Sequence, residues 1–310
     1  MHADPWPTAD LLGEGLGGLA AAAYKAAMSA LPFIKMHGLG NDFVVFDART
    51  APIRLTRAER HAMASRRTGI GCDQIITIEP SARADAFMRV HNADGGEVEA
   101  CGNATRCVAA RLMAEDGRDQ VVIETLAGLL EARASGADVS VDMGEARHDW
   151  REIPLAEAAD TLHLDLHVGS AETPDLADPV AVNIGNPHIV FFVADAEAID
   201  VAQHGAALET AALFPERVNV SIVQVVSVEV LRVRVWERGV GITAACGTAA
   251  CAAMVAAARR GLTGRGGEVR LDGGALRIDW REDGHVMMRG PVAVAFAGEI
   301  DPGALLGGSR

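Results

Sequence analysis

Two cysteines stand where backbone electrostatics can act on a thiol. Cys246 lies in ITAACGTAACAAM and Cys101 in NADGGEVEACGNA, each followed by a glycine and then by helix-forming residues. A cysteine at the first turn of a helix meets unpaired N–H groups and the positive end of the helix dipole, which favour thiolate over thiol. The N–H groups of Gly102 and Asn103, and of Gly247 and Thr248, would point out of their helix starts, an arrangement that binds carboxylates well. Glycine there lets the backbone come close to a ligand. If the two helix starts face each other, one carboxylate takes donors from both, and the sulfurs flank its neighbouring carbon from opposite sides. That geometry suits inversion of a stereocentre. One group removes a proton from one face, the other delivers a proton to the opposite face, and the roles exchange in the return reaction. A thiol with an ordinary pKa of about 8.5 can serve either part. Fixed N–H donors would stabilise the charge developing on the carboxylate. Such chemistry needs no metal and no pyridoxal cofactor, and neither is expected.

The elements that must hold these cysteines repeat at one offset. VHNADGGEVEACGNA begins at Val90 and VWERGVGITAACGTA at Val235, a spacing of 145 that also separates the two Cys-Gly pairs. The same spacing aligns Gly40-Asn41-Asp42-Phe43-Val44-Val45-Phe46 with Gly185-Asn186-Pro187-His188-Ile189-Val190-Phe191, and Gln74 with Asn219. Met143-Gly144 meets Arg289-Gly290 after a slip of one residue. Strands are expected at FVVFD, AFMRVHN, VVIETLAG and VSVDMG, then at HIVFFV, VNVSIVQVV, VEVLRVRVW and LRIDW. A helix is expected from about Asn103 to Asp116, stopped by Gly117, and another from about Thr248 to Arg260, stopped by Gly261. These features point to an α+β fold of two pseudo-symmetric lobes. Each is a curled, mostly antiparallel sheet around a central helix, with the active site in the cleft between them. The N-terminal lobe spans 31–145 and the C-terminal lobe 146–291, and 292–310, containing VAVAFAGEI, is expected to return to the first lobe.

Residues 1–30 read as an extension, mobile or outside the natural start, with Met28 an alternative first residue. Gly13, Gly15 and Gly18 have dinucleotide-fingerprint spacing, but no strand precedes them and no βαβ unit surrounds them. Hydrophobic residues at 49% and charged residues at 23% are those of a soluble globular protein, and no apolar run is long enough to cross a bilayer. A net charge of −14 offers no basic field for nucleic acid. The odd count of five cysteines, without a secretory signal, fits a reducing cytoplasm.

The segments MHGLGNDFVVFD, GCDQ, NADGGEVEACGN, IGNPHIVFF, FPERVNV and WERGVGITAACGTAAC together resemble the diaminopimelate epimerases. These are cofactor-independent enzymes of lysine and cell-wall precursor synthesis. The resemblance covers roughly residues 31 to 300. It implies that Cys101 and Cys246 are the base and acid pair, and that Asn41, Asn92, Asn186, Asn219, Glu237 and Arg238 hold the amines and carboxylates of the substrate. Gln74 and His188 would stand close to the reacting centre or support it. The Arg238 guanidinium can grip a distal carboxylate in a bidentate fork while Glu237 takes an ammonium group, which suits a substrate with an amino-acid head at each end. The small-molecule substrate would be diaminopimelate, and a homodimer is a candidate assembly. Asn103-Ala104-Thr105 departs from a more glycine-rich turn, and Ile242 and Ala244 stand where relatives carry polar residues.

Plainer readings accompany each assignment. Cys101 and Cys246 could be small buried residues or a structural disulfide. Cys107 and Cys251 lie roughly 240° and 140° around their helices from those cysteines, so they read as core, as does Cys72. The asparagines are common turn residues, His188 fits a structural role, and Glu237 with Arg238 could form a surface ion pair worth little. The functional alternatives are a two-cysteine racemase acting on proline or hydroxyproline, and a non-enzymatic thiol or metal-binding protein.

Overall fold

The spacing of 145 recurs as strand register. The structure, a computed structural model, describes residues 30–169 and 174–306, so the readings of residues 1–29 lie outside it. The first lobe holds β1 (Leu31–Gly38), β2 (Asn41–Asp47), α1 (Arg57–Ala64), β3 (Gln74–Glu79), β4 (Ala86–Asn92), β5 (Glu97–Val98), α2 (Gly102–Asp116), β6 (Gln120–Thr125), β7 (Gly128–Ser135) and β8 (Asp138–Glu145). A separate strand pair follows, β9 (His167–Gly169) and β10 (Pro174–Ala177). The second lobe repeats the plan: β11 (Val180–Asn183), β12 (Pro187–Val193), α3 (Val201–Glu209), β13 (Asn219–Ser227), β14 (Val230–Glu237) and β15 (Gly241–Ile242). It continues through α4 (Gly247–Arg259), β16 (Gly266–Leu271), β17 (Gly274–Trp280) and β18 (His285–Gly290), and the chain ends in β19 (Ala293–Ile300) and α5 (Pro302–Leu306).

β2 and β3 run parallel with Phe43 opposite Gln74, and β12 and β13 run parallel with His188 opposite Asn219, the same pair 145 residues on. Ile75 faces His91 across β3 and β4, and Val220 faces Trp236 across β13 and β14. The other parallel contacts, β4 with β6 and β14 with β16, also sit at matched places, and the remaining described pairs are antiparallel. β8 pairs with β18 and joins both halves into one continuous sheet. β19 runs antiparallel along β1 from Leu31↔Ile300 to His37↔Ala293, so the end of the chain borders the first lobe. The expected strand VVIETLAG is two elements, because the chain turns after Thr125 and resumes at Gly128.

The central helices are buried nearly all round, as a helix enclosed by its own sheet must be. α2 buries Gly102 through Ala109 and packs against β1, β6, β7 and β8. α4 buries Ala249 through Ala257 and packs against β11–β14 and β16–β18. Alanine suits both places, since it favours helix and lets strands close around a thin rod. Left-handed Gly117 (φ 64°) ends α2, and Gly261 (φ 67°) follows α4.

The helix starts differ. Thr56 and Glu59 form a capping box on α1, and Asp200 caps α3 by accepting from the Gln203 N–H. α2 and α4 begin at Cys101 and Cys246 in extended conformation, with no side-chain cap hydrogen bond. The two helices inside the lobes therefore keep their first N–H groups unclaimed by a capping side chain.

Candidate active site

The two cysteine-led helix starts meet. Asn103, 2% exposed, donates from Nδ2 to the carbonyl of Ala245, the residue before Cys246, at 3.1 Å. The same nitrogen donates to Asn41 Oδ1 at 3.1 Å, and Cys101 Sγ faces that oxygen at 3.8 Å. Gly102 and Gly247 both press on Met288 of β18. A Cβ on Gly102 would lie 2.8 Å from its Cε, and one on Gly247 would lie 2.7 Å from its Sδ. The glycine after each cysteine thus lets two helix starts share one methionine, whose flexible end would have to move aside for a Cβ at either place.

On the first-lobe side, Asn41 Nδ2 donates to Asp73 Oδ2 at 3.0 Å. Asp73 is held by Arg66 at 2.7 Å, which also grips Asp42, and Asp42 pairs with buried Lys35 at 2.6 Å. Gln74 donates to Asn92 Oδ1 at 2.9 Å across β3 and β4. On the second-lobe side, Cys246 Sγ lies 3.4 Å from Thr248 Oγ1. Glu237 stands beside Cys246 and accepts a hydrogen bond from Thr243 Oγ1. Asn219 donates to the Pro187 carbonyl and accepts from the Arg238 N–H, both at 2.9 Å. His188 Nε2 lies 2.8 Å from Asn186 Oδ1, and an Arg238 amine donates to the Glu216 carbonyl at 3.0 Å. Glu237 and Arg238 thus turn to different partners and do not make the surface ion pair considered from sequence.

All five cysteines are free, which sets aside a structural disulfide, and Cys72, Cys107 and Cys251 are buried core residues. The thiolate expectation needs correction. Burial, and after it the charge of Glu237, pushes the Cys101 thiol up to about 11, although the Ala104 and Asn103 N–H groups and the Arg106 charge pull it down. Cys246 lies well above the ordinary thiol range, first through burial and then through the charge of Glu237, against the Thr248 hydroxyl and the Ala249 N–H. The helix starts act in the expected direction, but loss of water outweighs them. Burial also raises the Glu237 carboxyl, partly offset by Thr243 and Cys246. His188 is pushed down to about 3 by burial and then by the Arg238 charge, so its imidazole is neutral.

Sequence reasoning passed over Asp73, Thr243, Met288, Arg106 and the site place of Met143, whose Cε lies 2.9 Å from where a Cβ on Gly102 would fall. Asp73 sits in GCDQ beside a chosen residue, and Thr243 lies inside the Cys-Gly motif, so both carried a positional signal. The methionines carried none, because their place depends on the β8–β18 pairing. Among the described residues no group of three or more His, Cys, Asp or Glu is placed to hold a metal ion, and no helix is long and apolar enough to cross a membrane.

Both halves of the chain match known proteins. A family model for diaminopimelate epimerase matches residues 33–148 and 180–295. The diaminopimelate epimerase of Rhodospirillum centenum is 55% identical over 280 residues, covering 88% of this chain and 94% of that protein. That of Phenylobacterium zucineum is 55% identical over 277 residues, covering 89% and 99%. Among solved structures, a hydroxyproline epimerase from Agrobacterium vitis has a TM-score of 0.63 at 13% identity, over 89% of this chain and 93% of that one. A PhzF-family phenazine biosynthesis protein from Enterococcus faecalis has a TM-score of 0.62 at 14% identity, over 87% and 98%. At those identities the two structures show the shared fold alone.

Proposed function

Because the chain belongs to the diaminopimelate epimerase family, we propose that it interconverts LL- and meso-diaminopimelate by proton transfer between Cys101 and Cys246, in lysine and peptidoglycan precursor synthesis. One observation carries this reading: two uncapped helix starts, each led by a cysteine, are tied together by Asn103. The substrate's α-carboxylate takes the N–H groups of Gly102, Asn103, Gly247 and Thr248. From the LL isomer, the Cys101 thiolate takes the α-proton. The C–H bond breaks, an S–H bond forms, and the electron pair delocalises into the carboxylate held by those donors. The Cys246 thiol then protonates the opposite face and is left as thiolate; the meso isomer reacts in the reverse sense. Asn41, Gln74, Asn92, Asn186 and Asn219 bind the polar groups of the substrate, Glu237 takes an ammonium, and Arg238 takes the distal carboxylate. Neutral His188 supports this wall through Asn186. No metal or organic cofactor enters the scheme.

The reading extends to the cytoplasm, where thiols stay reduced, and to a homodimer. β19 pairs on one edge with β1 and exposes Val294 (63%) and Phe296 (48%), an apolar edge that a second copy would cover. Sedimentation of the purified protein tests that assembly, and a monomer at micromolar concentration would count against it. The chemistry is tested by incubation in heavy water. LL-diaminopimelate should exchange its α-hydrogen, while proline and trans-4-hydroxyproline should not. Cys101→Ala and Cys246→Ala should each cut turnover by about 100-fold or more. Exchange of hydroxyproline, or full turnover in either variant, defeats the reading.

A further inference from the structure

Arg106 leads the large side chains that are fully buried, at 0% exposure. It lies on α2, five residues after Cys101. Its Nη1 donates to Asn103 Oδ1 at 3.0 Å and approaches Met288 Sδ at 3.4 Å, while Nε and Nη2 find no partner. A Cβ on Gly38, the last residue of β1, would lie 2.8 Å from Nη2, and one on Gly290, the last residue of β18, would lie 3.6 Å from Cζ. The guanidinium therefore lies across the seam between the lobes, in room left by two glycines. Among the described residues it forms no ion pair. An unpaired buried charge disfavours folding, so its presence asks for a role other than stability.

The repeat sharpens the question. At the spacing of 145, Arg106 falls on Cys251, Asn103 on Thr248, and Asn92 on Glu237. The lobes match in backbone but not in charge. A cation lies below Cys101, and a carboxyl lies beside Cys246. Resting on the two-thiol reading above, we propose that Arg106 is a positioning residue for the proton transfer. It fixes the Asn103 amide, through that amide holds Asn41 beside Cys101 and the chain before Cys246, and places positive charge on the Cys101 side.

The hydrogen-bond inventory of an amide explains the first part. Arginine is donor-only, so Asn103 must turn Oδ1 toward it, which leaves Nδ2 to donate to Asn41 Oδ1 and the Ala245 carbonyl. A flipped amide would set oxygen against both acceptors and loosen the contact that ties the helix starts. The charge explains the second part. Burial raises both thiols and the Glu237 charge adds to each, but Arg106 favours the ionised form of Cys101 alone, so Cys101 is the more readily ionised of the pair.

The test uses the full chain with Arg106→Gln, Asn103→Ala and the double variant, each checked for folding by thermal melting. Turnover of LL-diaminopimelate is measured beside the pH dependence of iodoacetamide alkylation at Cys101 and Cys246, resolved by peptide mass spectrometry. Arg106→Gln should lower kcat by about 100-fold with KM little changed. It should move Cys101 alkylation to higher pH and leave Cys246 where it was. Asn103→Ala should lower kcat similarly, and the double variant should lose no more than the worse single one. Wild-type kcat in a folded Arg106→Gln or Asn103→Ala protein, additive losses, or equal shifts at both cysteines would overturn the proposal. Should Arg106→Gln not fold, Asn103→Ala still decides the positioning role. A wild-type protein inert toward diaminopimelate would sink the proposed function instead, whereas the alkylation arms need no substrate.

Discussion

Cys101 and Cys246 share a backbone setting, and burial raises both thiols, with the Glu237 charge adding to each and the Arg106 charge opposing it at Cys101 alone. The Cys101 thiol sits at about 11 because burial dominates. Its thiolate fraction in the free enzyme therefore grows as pH rises, and kcat/KM for the LL isomer should climb through the alkaline range before Cys246 also loses its proton. A pH–rate profile checks this, and a plateau reached already at pH 6 would contradict it. His188, held at about 3, should add no inflection between roughly pH 5 and 8. Glu237 supplies the second expectation. Burial is the larger cause of the raised Cys246 thiol and survives in Glu237→Gln, but the carboxylate's repulsion does not. Cys246 should then alkylate at lower pH, with Cys101 shifted less. Peptide-resolved alkylation reads both sulfurs in one experiment.

At the scale of elements, the turn between β1 and β2 reaches into the other lobe. Leu39 (φ 58°) and Gly40 (φ 83°) form its tip, and the Leu39 side chain packs on the second core. A Cβ on Gly273 would fall 1.9 Å from the Leu39 carbonyl oxygen, and the Gly273 N–H holds the Ala244 carbonyl at 2.7 Å. Gly273→Ala should push the tip outward, displacing Asn41 on one side and the chain before Cys246 on the other. A loss of about 1–3 kcal/mol in stability and a clear fall in kcat are expected. Gly264→Ala, where a Cβ meets nothing within 4 Å, serves as control, and melting curves with turnover compare the two. This dependence of the site on distant elements explains what was legible in sequence. The central helices, their glycine stops and the repeat could be read because composition and spacing are local. β1, which mixes apolar and polar residues without strict alternation, and α1, only eight residues long, offered less to read. Arg106 drew no reading, since one charge in an alanine-rich run does not reveal a helix buried on every side. The thiol acidities were misjudged for the same reason. Helix-start N–H groups can be inferred from Cys-Gly, but the exclusion of water depends on how two lobes close.

At the scale of the molecule, the β8–β18 seam helps keep the helix starts together, because that strand pair joins the two halves of the sheet. His285 of β18 and Asp142 of β8 pair across it at 2.9 Å. The Asp142 hydrogen bond is the main cause of a raised His285 pKa. Burial opposes it, and the charges of Asp142, Asp283 and Glu145 reinforce it. A histidine whose folded pKa exceeds its unfolded value stabilises the fold fully below the unfolded value of about 6.5, and that contribution fades as pH rises through the folded value. Asp142→Asn should therefore lower Tm most between about pH 5 and 6.5, with the gap to wild type closing in alkaline solution. The His285 side chain is 36% exposed, so water screens the pair and the gap should stay near or below about 1 kcal/mol. Thermal melts of both proteins across pH check the sign. A gap independent of pH would mean that the seam is held by strand pairing and packing alone. If the gap follows the histidine, the protein has its firmest seam in mild acid and its more readily ionised thiols in base, so stability and activity should peak at different pH.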